Sequence, residues 1–129
     1  MKSMPNLTNA EFELMEAIWK TTEPMSTNDI IANLDNHKNW KTTTVLTLMG
    51  KLIEKRYVRA IKTGRAYQYY LIIAQEQYQM SEGKLFLSKM YHNSLKNFVA
   101  ALYQEDALSD ADVHELMDWF QNKNNESKK

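Results

Sequence analysis

The sequence predicts a mostly α-helical chain carrying one small β-hairpin. Three observations predict it. Apolar residues recur at three- and four-residue spacing through most of the chain. Only 3 Gly and 2 Pro occur in 129 residues, too few for an all-β chain that turns at short intervals. Two runs of β-branched and aromatic residues flank a single glycine, the pattern of a hairpin.

The first helix is expected over residues 9–20. Thr8 precedes it and Glu11 stands three residues later, which makes a capping box. Leu7 and Phe12 fit a hydrophobic staple across that cap. Phe12, Met15, Ile18 and Trp19 form its apolar stripe. Residues 21–25, with Pro24, are a break. A second helix runs from Ser26 or Thr27 to about Leu34, capped by Ser26 with Asp29, and Ile30, Ile31 and Leu34 face its core. Residues 35–39 are polar and turn-prone.

The third helix is expected over 41–55. At about 100° per residue, Val45, Leu48, Met49, Leu52 and Ile53 share one arc. Thr43, Thr44, Thr47, Gly50 and Lys51 share the opposite arc, with Leu46 at the border. One face is therefore buried and the other shows small, hydroxyl-bearing and basic groups. The hairpin follows, with strands over 57–62 and 66–72 and Gly64 at its tip beside Lys62 and Arg65.

Residues 75–102 read as helix, broken in two by the polar run His92, Asn93, Ser94. Ser109 with Asp112 opens a last helix whose stripe is Val113, Leu116, Met117 and Phe120. Residues 122–129 are expected to be a frayed polar tail. The expected division is one domain over 7–73 and a second, purely helical one over 74–123.

Formal net charge is zero, with 16 basic and 16 acidic side chains, but the charge is unevenly placed. Residues 38–65 hold eight basic residues and one acid, a net of +7. The stretches on either side are acidic: −4 over 1–37 and −3 over 74–129. A concentrated basic segment is the footprint of a polyanion site, the alternative being a solvated face without a partner.

Three helices and a hairpin, with the third helix basic, follow the order of a winged helix-turn-helix. In that arrangement the third helix enters the DNA major groove and the hairpin wing touches the backbone. The candidate DNA-binding residues are Lys41, Thr43, Thr44, Leu46, Thr47, Lys51, Lys62 and Arg65. Lysine and arginine supply phosphate contacts. Threonine hydroxyls reach phosphates or base edges, and their methyl groups, like Leu46, suit thymine.

The helices after residue 74 cannot bury their apolar faces alone. Homodimerisation is expected through Leu87, Met90, Tyr91, Leu95, Phe98, Val99, Leu102, Leu116 and Phe120. The competing arrangement packs this segment onto its own winged domain.

Other classes find less support. Zero cysteines exclude disulfide scaffolds, thiolate zinc sites, iron–sulfur clusters and thiol catalysis. His37, His92 and His114 lack metal-ligand spacing, Ser88 and Ser94 lack nucleophile-elbow glycines, and Gly50, Gly64 and Gly83 are isolated. Asp106, Asp110, Asp112 and Glu115 read as charges at a helix start. No enzyme, metal or cofactor is expected. A protein-interaction module without DNA binding stays open. So does a repressor gated by a small ligand among Tyr78, Met80, Met90 and Tyr91. No apolar run approaches the ~20 residues that span a bilayer, and residues 1–6 have no apolar signal region. A cytoplasmic location without membrane insertion is the expectation.

Several motifs together resemble the BlaI/MecI/CopY family of bacterial repressors. Leu7-Thr8-Asn9-Ala10-Glu11-Phe12-Glu13-Leu14-Met15 with Ile18-Trp19 is similar to its opening motif. Trp40, Thr44-Val45, Thr47-Leu48 and Leu52 resemble its recognition-helix line, and Gly64-Arg65 with Tyr69 its wing motif. Residues 87–99 and Leu108-Ser109 resemble its dimerisation region. The likeness covers about residues 7–122. It implies a homodimer that binds a palindromic double-stranded DNA operator and blocks transcription. In the β-lactam members it also implies release through a membrane sensor–protease pathway. Several positions depart from the family pattern. Ala101-Leu102 stands where the β-lactam repressors have a cleaved Asn-Phe bond, and the Cys-rich tail of the copper-responsive members is absent. Thr43 stands where a basic residue is frequent, Leu46 and Gly50 replace more polar or longer side chains, and Leu71 replaces a proline. The operator is therefore expected to depart from the family's TACA/TGTA half-sites.

Overall fold

The computed structural model describes residues 4–35 and 39–127. Residues 36–38 of the polar turn, including His37 and Lys38, lie outside the described residues. The order is α1 (Asn9–Lys20), α2 (Thr27–Ala32), α3 (Thr42–Glu54), β1 (Val58–Thr63), β2 (Ala66–Leu71), α4 (Gln75–Tyr91), α5 (Leu95–Gln104) and α6 (Asp110–Ser127).

Local chemistry explains the starts of most helices. Thr8 and Glu11 close the expected capping box on α1, with Thr8 N–H donating to Glu11 Oε1 at 2.8 Å. Ser26 and Asp29 do the same for α2, and Ser109 and Asp112 for α6. The Ser109 backbone N–H holds the Asp112 carboxyl below its usual range. Ser94 caps α5 by accepting from Asn97 N–H. His92 and Asn93 take positive φ, which ends α4 where the polar run predicts.

The chain forms two compact units, one reaching Glu82 and one starting at Gly83. The first holds the whole buried core among the described residues. Leu14, Met15 and Ile18 of α1 meet Ile30 of α2, Val45, Met49 and Leu52 of α3, and Tyr57, Val58 and Tyr69 of the hairpin. The strands pair antiparallel from Val58–Leu71 to Thr63–Ala66. The two-residue turn between them needs positive φ at its first position, supplied by Gly64 at +67°. Met25 adds a bridge to the outer edge of β2, its N–H donating to Tyr69 O at 3.1 Å and its carbonyl accepting from Tyr69 N–H at 2.8 Å.

Buried polar groups in this unit are satisfied. Glu11 is 1% exposed, and its carboxylate accepts from the Lys55 ammonium at 2.6 Å. The same ammonium donates to Asn6 O at 2.7 Å. Burial works against ionisation of Glu11. Lys55 and the Thr8 N–H outweigh it and hold the carboxyl below its ordinary value of 4.5. Tyr57 donates its hydroxyl proton to Pro5 O, and burial pushes that phenol up to about 12. Phe12, Trp19, Tyr57 and Tyr78 form an aromatic cluster with centroids 5.6–6.1 Å apart. Tyr78 ties the first turn of α4 to this unit.

Three expectations are corrected. Phe12 and Ile53, assigned to buried stripes, sit at the rim and are exposed. The second helix ends at Ala32, where Asn33 caps it, before Leu34. Residues 122–127 continue α6 as regular helix. There Lys123 lies over the Trp119 ring at 5.5 Å and pairs with Glu126 at 3.4 Å, so side-chain pairs one turn apart support a polar stretch without an apolar stripe.

Candidate nucleic-acid interface

Packing on α1, α2 and β1 fixes which face of α3 is free. Val45, Met49 and Leu52 are buried, so the opposite face points to solvent. Thr43, Thr44, Thr47, Gly50 and Lys51 are all exposed there, and Leu46 beside them is 46% exposed. The structure thus brings together every α3 residue expected at the site. Thr47 donates its hydroxyl proton to Thr43 O at 2.9 Å. That bond leaves its methyl group and its acceptor lone pairs for an external partner.

Lys41 is the N-cap of α3 and makes no side-chain capping bond. The first-turn N–H groups therefore lie open beside an exposed ammonium, an arrangement suited to an anion. Capping-box logic finds the starts of α1, α2 and α6, but it is silent here because no Ser, Thr, Asp or Asn occupies the cap. The signal for this missed feature was the lysine at that position.

On the hairpin, Lys62 and Arg65 are exposed near the tip. Lys62 pairs with exposed Tyr67 across the strands, and Arg59 lies over the Tyr70 ring at 4.9 Å. Tyr67 and Arg59 escaped the sequence reading, although the two-residue turn sets the register that places them. Lys55 departs from the basic set in the other direction. It belongs to the buried pair with Glu11, so its charge serves the fold.

Gly50 has no partner that explains it. A Cβ built there meets nothing within 4 Å, and its φ is not positive. Gly50→Ala is expected to raise stability by about 0.5–1 kcal/mol. A urea midpoint above the parent's checks this, and a lower one counts against it.

The second unit is organised differently. None of its described residues is buried. Phe86, Tyr91 and Phe98 form a ring trio with centroids 5.1–6.0 Å apart, and Leu87, Val99 and Leu102 are half-buried. Met90, Leu95, Leu116 and Phe120 are exposed. Leu108, Leu116, Trp119 and Phe120 line an open groove of about 540 Å³. Ala101 and Leu102 lie inside α5, both half-buried. Among the described residues, no group of acids and histidines could hold a metal ion. Among the described residues, no helix is long and apolar enough to cross a membrane.

The chain is 30% identical over 128 residues to the penicillinase repressor of Bacillus licheniformis, covering 99% of each. It is 27% identical over 110 residues to the methicillin resistance regulatory protein MecI of Staphylococcus aureus, covering 85% of this chain and 89% of that one. The solution structure of the DNA binding domain of the repressor BlaI matches at 33% identity and a TM-score of 0.50, over 60% of this chain and 94% of that one. The family profile described as penicillinase repressor matches residues 7–122. With nearly its whole length matched and the winged-helix fold shared, the chain belongs to the penicillinase repressor family.

Proposed function

We propose that this protein is a homodimeric, sequence-specific repressor that binds duplex operator DNA and acts in the cytoplasm. One observation carries the reading. The exposed face of α3 is built of threonines and lysine while its other face is locked into the core. In this reading α3 enters the major groove through Thr43, Thr44, Leu46 and Thr47. Lys41, Lys51, Lys62 and Arg65 hold phosphates on either side. Residues 7–73 bind DNA, and residues 74–123 associate. A second unit that exposes large apolar side chains and buries none of its described residues supports a two-fold dimer, which would present two recognition helices about one DNA turn apart. The membrane sensor–protease route implied by the family would have to open α5 to cut between Ala101 and Leu102.

A gel-shift and salt titration on the chain's own upstream DNA tests the reading. Four or more phosphate contacts give a log–log slope of about −3.6 or steeper, and a flat response would sink it. Arg65→Ala is expected to weaken binding to all sequences alike and to make the slope shallower by about one. A changed sequence preference in that variant would remove Arg65 from the phosphate-contacting set.

A further inference from the structure

We propose that α3 recognises thymine by its C5-methyl group, with Leu46 as the reading side chain. The inference rests on the DNA-binding reading and adds the chemistry of recognition. From Thr42 to Glu54 the helix carries no arginine, asparagine or glutamine, and Lys51 in its last turn is its one side chain of the kind that reads purine edges in the major groove. Its exposed hydroxyl at Thr47 already donates to the Thr43 carbonyl. Beside the hydroxyls of Thr43 and Thr44, this face presents methyl surface: Leu46, 46% exposed, with the threonine methyl groups next to it. Thr43 and Gly50 flank Leu46 at i−3 and i+4, so neither neighbour on its stripe overshadows it, and the space above Gly50 is open. The thymine methyl is the apolar group that a base pair presents in the major groove. Exposed cations at Lys41 and Lys51 bring the helix to DNA, and the methyl surface between them discriminates.

The test begins with a duplex selected from a random pool by the full-length chain. That duplex is remade with uracil for thymine, one position at a time, which removes only the methyl group. The parent protein is expected to lose about fourfold in affinity at the contacted thymine, the size expected for one buried methyl. Leu46→Ala is expected to bind the uracil and thymine duplexes equally at that position, with an unchanged melting temperature because the side chain lies outside the core. Equal binding of every uracil duplex by the parent overturns the inference, as does an undiminished uracil penalty in Leu46→Ala. Failure of the parent to select any duplex overturns the DNA-binding reading itself, so the two failures are distinguishable.

Discussion

Glu11→Ala is expected to lower the stability of the first unit by about 3 kcal/mol, through loss of the buried ion pair and of half the capping box. The carboxylate is 1% exposed and the Lys55 side chain 29% exposed. Removing the anion leaves a partly desolvated ammonium that keeps only the Asn6 carbonyl. Because Lys55 retains some contact with water, the cost falls at the low end for a broken buried pair. For a domain of this size the change corresponds to roughly 12–24 °C in melting temperature. The pair should be recoverable in part by replacing both members with apolar residues, Glu11→Leu with Lys55→Met. A single variant within about 0.5 kcal/mol of the parent, the range of ordinary surface changes, would refute the assignment.

The same pair sets a pH dependence with a definite sign. The Glu11 carboxyl is lowered in the folded chain, so its contribution is fully present above the ordinary value of 4.5. It is lost as pH falls through the folded value. Below pH 4.5 the parent should lose stability more steeply than Glu11→Gln, and denaturant midpoints across that window would show the difference.

Phe120→Asp is expected to convert the proposed dimer to monomer at micromolar concentration. Phe120 is 51% exposed in the single chain and stands edge-on to Trp119 at 5.1 Å, on the open groove of α6. A carboxylate there stays hydrated in the monomer and must be desolvated in the dimer. Two-fold symmetry places the substitution on both sides, so dissociation should rise at least about a hundredfold. Phe98 is a less clean probe, because its ring also holds the trio with Phe86 and Tyr91. Sedimentation velocity reads the outcome, and a dimer that survives Phe120→Asp would exclude this face from the interface.

How much of this was legible in the sequence depends on the range of the interaction. Capping boxes at Thr8, Ser26 and Ser109 are three-residue patterns, so the starts of α1, α2 and α6 could be read directly. The exposed face of α3 followed from helical periodicity, and the hairpin from Gly64. The pair between Glu11 and Lys55 joins positions 44 residues apart, and the Met25 bridge to Tyr69 joins a loop to a strand. No local pattern announces either. Lys55 counted as basic surface until its partner was located. The last turns of α6 were missed because periodicity registers apolar stripes, whereas Lys123 with Trp119 and Glu126 supports that helix through charge and ring contacts.

The coreless second unit has a consequence for how such a repressor responds inside a cell. If its apolar faces are covered only by another copy, the stability of that unit depends on mass action. In the regime where free chains are mostly monomeric, dimer abundance follows the square of monomer concentration. A threefold fall in free monomer would then remove about nine-tenths of the assembled species. Modest turnover of the protein could therefore clear an operator steeply, without a ligand having to alter the recognition helix at all.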